Sequence, residues 1–215
     1  MPRKVERPEP GRAASLGSDT RARIVAAARQ ELVKHGFAGA RVDRIARRAG
    51  TSKERIYVYF KSKVEIAREV QADQASRFNN QVGLDPESID EFVADVFDFY
   101  DHNRDDVRLW LWFLLELGDT PLPADDFRVQ AVRQRVEAVR VAQSRGYIHP
   151  DWDPVVLLNL ISSIAMSHIL APGYVHELSD RCKAPASPEW FERHRAAVLD
   201  ISHRLLKEAP RLPDK

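Results

Sequence analysis

The stretch VDRIARRAGTSKERIYVYFKSKVEI, residues 42–66, decides how the rest of the chain is read. Val42, Ile45, Ala46 and Ala49 share one face of a short helix from Arg41 to Ala49, and Gly50 stops it. Thr51-Ser52-Lys53-Glu54 has the form of a capping box, so another short helix starts there and runs to about Tyr59. Ser62-Lys63-Val64-Glu65 repeats the device and opens a long helix to about Gln81, before Gly83. Ala46 is small where the two short helices must cross, Gly50 permits the turn, and Ile45, Ala49 and Ile56 lock the pair. This is the pattern of a helix-turn-helix. Thr51 stands where an apolar residue would pack better, unless it serves as the N-cap.

Working outward, Asp19 or Thr20 can cap a first helix carrying Ile24, Ala28 and Leu32, closed by Gly36. Residues 1–19 are rich in Pro, Gly, Ser and charge and read as a disordered arm. Toward the C-terminus, Asp85-Pro86, Asp153-Pro154 and Ser187-Pro188 each place a polar cap before a proline at the first helical position. They predict helices of roughly 86–102, 154–170 and 188–208, with two more at 105–117 and 125–145 divided by Gly118 and the Pro121/Pro123 turn. The expected fold is all-α, with about nine helices. Its divisions are an arm (1–19), a helix-turn-helix domain (20–66), a helical body (67–208) and a tail (209–215).

Composition narrows the function class. The 215 residues are 44% hydrophobic and 30% charged, as in ordinary globular proteins. The formal net charge of +1 hides an asymmetry: residues 1–63 carry 16 Lys and Arg against 6 Asp and Glu, and the remainder carries 17 against 26. A basic first third on an acidic body points to a polyanion partner for the first part. Cys182 alone allows no internal disulfide and suits a reducing cytoplasm. No signal peptide is visible in residues 1–20, and the apolar run Val155–Leu170 is interrupted by polar residues and too short to span a bilayer. The expected location is therefore the cytoplasm, associated with the nucleoid, with no membrane partner.

Residues 20–66 resemble the N-terminal DNA-binding domain of TetR-family transcriptional regulators. The matching stretches are RARIVAAARQELVKHGF, VDRIARRAG and, most specific, SKERIYVYFKSKVEI. The resemblance implies that the helix from Lys53 to Tyr59 is the recognition helix in the major groove of double-stranded operator DNA. It implies a DNA-facing set of Arg41, Arg44, Ser52, Lys53, Arg55, Tyr57, Tyr59 and Lys63. Tyr57 and Tyr59 correspond to backbone-contacting positions, and Lys63 to a phosphate contact beside a helix N-terminus. Phe60 and Ile56 are assigned to the core. Ala40 and Arg41 depart from the family's usual Thr or Ser, and Arg41 could supply the phosphate contact by charge instead. Arg55 has two readings: a bidentate contact to guanine, or a pair with Glu54 or Asp43 that leaves it silent. Of Arg44, Arg47 and Arg48, at least one is expected to be plain solvated charge. The arm's Arg3, Lys4, Arg7 and Arg12 read as an inert tail more readily than as a minor-groove element, because Glu6 and Glu9 dilute them.

For the acidic body the resemblance implies homodimerisation and a small-molecule effector. The 154–170 helix is apolar nearly all round, and the 188–208 helix is amphipathic, with Trp190, Val198, Ile201 and Leu205. The two together are the expected homodimer interface, placing two recognition helices on a near-palindromic operator. His102, Trp110, Phe113 and Met166 are candidate effector-pocket residues, suited to an apolar or aromatic effector, with Glu116 or His168 as polar contacts. Core packing competes with that role at each position. Repression is the default mode.

No phosphate loop, dinucleotide fingerprint, HExxH or GxSxG occurs, and the seven histidines lack a metal-ligand spacing. Neither catalysis, a cofactor nor a metal is expected. The rival readings are a protein-interaction module on the same fold that does not read DNA and, more remotely, an all-α enzyme.

Overall fold

Nine helices and no strand make up the described residues of this computed structural model, which are 10–117, 121–170 and 188–210. In order they are α1 (Pro10–Gly39), α2 (Val42–Arg48), α3 (Lys53–Tyr59), α4 (Lys63–Gln81), α5 (Ile89–His102), α6 (Arg104–Leu117), α7 (Phe127–Ser144), α8 (Pro154–Leu170) and α9 (Pro188–Lys207). The all-α architecture read from the sequence is the one observed. The chain divides into two compact units, Met1–Gln74 with Arg108–Asp119, and Ala75–Val107 with Thr120–Lys215. The sequence places its boundary at 66/67. The division instead falls within α4 and assigns α6 from Arg108 onward to the first unit.

The first unit is built on one apolar core. Ile24, Ala28 and Leu32 of α1, the face expected from their spacing, are buried there with Ile45, Ala46 and Ala49, Ile56 and Phe60, and Ile66, Ala67 and Val70. Leu109 and Phe113 of α6 complete it. Each large side chain removed from water in this way contributes about 1.5–3 kcal/mol. α1 breaks at Gly36, whose φ of 65° and ψ of 178° lie outside the range of other residues. A Cβ there would stand 3.3 Å from the Trp112 indole, so the position requires glycine twice over. Gly50 makes the α2–α3 turn with φ 63°.

Several helix starts differ from expectation. α1 begins at Pro10, within the stretch read as an arm, because proline is favoured at a first helical position and the following residues include Ala13, Ala14 and Leu16. The cap of α3 is Ser52 and not Thr51: its Oγ accepts from the Arg55 N–H at 3.1 Å, while the Thr51 N–H donates to the Ala46 carbonyl. Ser62 caps α4 as expected, through the Glu65 N–H at 3.1 Å, and Glu65 reaches back to the Lys61 N–H at 2.6 Å. Asp85-Pro86 forms a turn before α5 and not its first residues. Asp85 Oδ1 takes the Glu87 N–H, and its carbonyl takes the Ser88 N–H, a local closure that competes with a helix. Asp153 caps α8 through the Val155 and Val156 N–H groups at 2.9 and 3.0 Å. Arg3, Lys4, Arg7, Gly118, Cys182, Ser187 and residues 211–215 lie outside the described residues.

In the second unit α5, α8 and α9 enclose Phe92, Val93, Val96, Phe97, Leu157, Ile161, Ala165, Val198 and Leu206, joined by Val139 and Ala142 of α7. Arg195 closes this packing with a two-pronged pair to Asp98, at 2.8 and 2.7 Å. The apolar α8 is not buried all round: Val155 and Val156 are 56% and 51% exposed, as is Ile201 on α9 at 51%. Among the described residues no helix is long and apolar enough to cross a membrane.

Candidate nucleic-acid interface

α3 is short, and its two faces are sharply different. Ile56 and Phe60 anchor it in the first core, leaving Lys53, Glu54, Arg55, Tyr57 and Val58 on the outside. Glu54 and Val58 lie one turn apart on the side opposite that anchor. Tyr57 is 45% exposed and Val58 80%. Tyr59 turns partly inward against the core. Lys53 pairs with Asp43 at 3.0 Å, which takes Asp43 away from Arg55. Among the described residues Arg55 has neither an ion-pair nor a side-chain hydrogen-bond partner, so its guanidinium is available.

The expected phosphate contacts divide. Arg41, Arg47 and Arg48 are exposed, with no side-chain partner among the described residues. Arg41 precedes α2 in extended conformation and supplies no side-chain cap, as its chemistry requires. Arg44, expected to face DNA, is engaged within the protein. Its Nε lies 2.5 Å from Glu31, a carboxylate that is only 2% exposed, and its Nη2 donates to the Gly39 carbonyl at 2.6 Å. Burial would raise the Glu31 pKa, but the Arg41 N–H, the Arg44 guanidinium and the neighbouring His35 together hold it below the ordinary carboxylate range. Arg44 is therefore tied up in balancing a buried charge.

Lys63 is also engaged within the protein. Its Nζ donates to the carbonyls of Phe37 at 2.7 Å and Ala40 at 3.3 Å, and sits 4.4 Å from the centre of the Phe37 ring. It braces the α1–α2 turn, a role the sequence reading missed because the acceptors are backbone atoms 23 and 26 residues away. Val58 was missed as well. An exposed valine on a charged helix was visible in the sequence once Ile56 and Phe60 were assigned inward.

Residues 24–70 match the family model of bacterial regulatory proteins of the tetR family, and residues 88–204 that of the tetracyclin repressor-like C-terminal domain. The chain belongs to the TetR family. As a member of it, the protein is a DNA-binding transcriptional regulator and not an enzyme. The HTH-type transcriptional repressor SCO4008 of Streptomyces coelicolor is 33% identical over 153 residues, which are 71% of this chain and 80% of the relative. The Bacillus subtilis regulator YdgC is 29% identical over 150 residues, 65% of this chain and 73% of its own. The crystal structure of the S. coelicolor regulator SCO4942 superposes with a TM-score of 0.72 at 35% identity, covering 86% of this chain and 97% of that one. FadR of B. subtilis, in complex with stearoyl-CoA, shares the fold with a TM-score of 0.60 at 16% identity, over 86% and 98% of the two chains.

The effector-pocket candidates of this TetR-family chain fall in different surroundings. Phe113 belongs to the first unit's core, and Trp110 is 40% exposed on the same unit. Phe113 thus packs in the first core, 3% exposed. Glu116 accepts the Ala38 N–H at 2.9 Å. His102 ends α5 with Nδ1 2.6 Å from the Asp98 carbonyl, and borders a cleft of about 220 Å³ with Gln81, Val82, Asp95, Asp98, Phe99 and Asn103. Met166 is buried on α8. His168 is buried too, stacked 4.2 Å from Phe97, with its pKa lowered by burial. A larger groove of about 670 Å³ lies between α7 and the start of α8, lined by Leu122, Val129, Val132, Val136 and Val155. Among the described residues no group of three or more His, Cys, Asp or Glu could hold a metal ion.

Proposed function

We propose that the protein represses transcription as a homodimer on a near-palindromic operator and is released by a small molecule bound in its second unit. The observation that carries the DNA-reading part is the outer face of α3. Arg55 is unpaired and exposed there, beside Tyr57 and Val58, on a helix whose inner face is anchored. Arg55 suits the O6 and N7 acceptors of guanine, and Val58 the 5-methyl group of thymine. Arg41, Arg47, Arg48 and Tyr57, with Ser52 at the head of α3 and the hydroxyl of Tyr59, supply candidate phosphate contacts. Lys63 can join them only by giving up part of its hold on the α1–α2 turn. Repression follows the name of the relative SCO4008.

The exposed apolar residues Val155 and Val156 on α8 and Ile201 on α9 support a homodimer through these two helices. A two-fold arrangement would set two α3 helices about 34–36 Å apart, one turn of DNA. The test is fluorescence anisotropy against a selected operator over a salt series, with sedimentation measured alongside. Saturable, sequence-selective binding that weakens by about 10³–10⁵ between 50 and 200 mM salt is expected for six to ten phosphate contacts. An Ile201→Glu chain should sediment as a monomer and lose the tight complex. Equal affinity for operator and scrambled DNA would refute the reading.

A further inference from the structure

At the C-terminal end of α4, one arginine has more donors than the protein uses. Arg135 on α7 donates from Nη2 to Asn79 Oδ1 at 2.9 Å and to the Val82 carbonyl at 3.0 Å. Its guanidinium lies 4.9 Å from the centre of the Phe78 ring. These bonds cap α4, whose last turn carries no basic residue of its own. They occupy one of three guanidinium nitrogens. Nε and Nη1 have no acceptor among the described residues. The other half-buried arginines described in this unit each face a carboxylate: Arg77 faces Asp106, Arg128 faces Asp126 and Arg195 faces Asp98. Arg135 faces none.

The surroundings are aromatic. Tyr100 stacks on Phe78 at 5.7 Å between ring centres, and Phe99 meets Phe78 edge-on at 5.0 Å. The Tyr100 hydroxyl has no hydrogen-bond partner among the described residues, and burial pushes its pKa up to about 12, so it stays a neutral donor. Burial also lowers the Arg135 pKa, the cost of a desolvated cation without an acid beside it. Val82 and Phe99 line the 220 Å³ cleft with His102, so open volume adjoins the cluster.

We propose that Arg135, Tyr100, Phe78 and Phe99 form the recognition site for an amphipathic carboxylate, with its anionic group on Arg135 Nη1 and the Tyr100 hydroxyl and its apolar body on the rings. With Nη2 already engaged, neither two-donor edge of the guanidinium is whole, so Nη1 supplies one charge-assisted donor to the carboxylate and the Tyr100 hydroxyl a second. The regulatory part rests on the reading of the chain as effector-released. The guanidinium that would take the ligand is the one that caps α4, and the first turn of α4 begins four residues after the end of α3. A ligand therefore loads the helix that follows the reading element, and linkage requires operator DNA to weaken ligand binding by the same factor.

The probes are 2-naphthoate and decanoate, each against its neutral primary amide, titrated calorimetrically into the full-length protein. Operator affinity is read separately by anisotropy. At least one acid should bind about tenfold or more tighter than its amide, and Arg135→Gln should erase that preference. Arg135→Lys should keep part of it, and Tyr100→Phe, which leaves the α4 cap in place, should weaken the acid severalfold even if Arg135→Gln does not fold. Equal binding of acid and amide, a preference that survives Arg135→Gln, or no binding of either acid overturns the site. An acid that binds through Arg135 yet leaves operator affinity unchanged overturns its regulatory role and leaves the anion site standing.

Discussion

The Ala38 N–H donates to Glu116 at 2.9 Å, tying the turn after α1 to the last turn of α6. The same turn is braced from α4 by Lys63, through the carbonyls of Phe37 and Ala40, and packed by Trp112 against Gly36. Two helices, α4 and α6, thus converge on five residues, 36–40, that lead directly into α2. The orientation of the helix-turn-helix depends on this turn, which Phe37 and Ala40 also pack into the first core.

Lys63→Ala should therefore act first on stability. Losing the brace strands two carbonyls and costs about 1–3 kcal/mol, or several degrees of Tm. If Lys63 also grips phosphate in the complex, the slope of log affinity against log salt falls by about one. A brace alone leaves that slope unchanged, and the lowered Tm with an intact slope is the expected result. Thermal melts and a salt series on one preparation separate the two roles.

Gly36→Ala should destabilise by about 1–3 kcal/mol, since a side chain is strained at φ 65°, ψ 178° and meets Trp112. Trp112→Leu should relieve the contact but not the backbone strain, so the double variant recovers only part of the loss. Denaturant midpoints for the wild type, the two single variants and the double variant measure it.

Arg55→Ala should cost about 1–3 kcal/mol of operator binding and relax the preference for one guanine in each half-site. Val58 lies three residues further along, so its contact should fall on a neighbouring base pair. Replacing one thymine by deoxyuracil should weaken the wild type by roughly fourfold, about 0.8 kcal/mol for a buried methyl, and leave Val58→Ala indifferent. A uniform loss across all sequences for Arg55→Ala would make it a phosphate contact.

Acid stability should carry the mark of Asp126, the N-cap of α7. Hydrogen bonds from the Arg128 side chain hold its pKa down to about 2, against an ordinary 3.8. A depressed carboxylate stabilises the fold above its unfolded pKa and loses that contribution as pH falls through the folded value. Asp126→Asn keeps an acceptor for the Arg128 N–H but should flatten the stability profile between about pH 4 and pH 2. Urea midpoints at several pH values test this.

What the sequence disclosed was local. The spacing of Ile24, Ala28 and Leu32, the Gly50 turn and the Ser62 and Asp153 caps are all fixed within a few residues, and each stands as expected. The pairing of Arg44 with Glu31 was not legible, because Glu31 lies 13 residues away on another helix and the pair exists only once α1 and α2 cross. The burial of Phe113 in a core shared with residues of α1 to α4 is likewise decided by distant segments of the chain. Arg55 was left with two readings until Lys53 was found to occupy Asp43.

The presence of Leu109 and Phe113 in the first core bears on how freely such regulators exchange parts. A chimera that takes this chain's first 66 residues and grafts them onto another body leaves behind the two side chains that finish the packing and the Glu116 bond. The transplantable piece is discontinuous: the N-terminal segment to Gln74 and the stretch from Arg108 onward must travel together, or the new host must supply a phenylalanine and a leucine at matching places. Recombination within the family is then constrained at two points along the chain, not one.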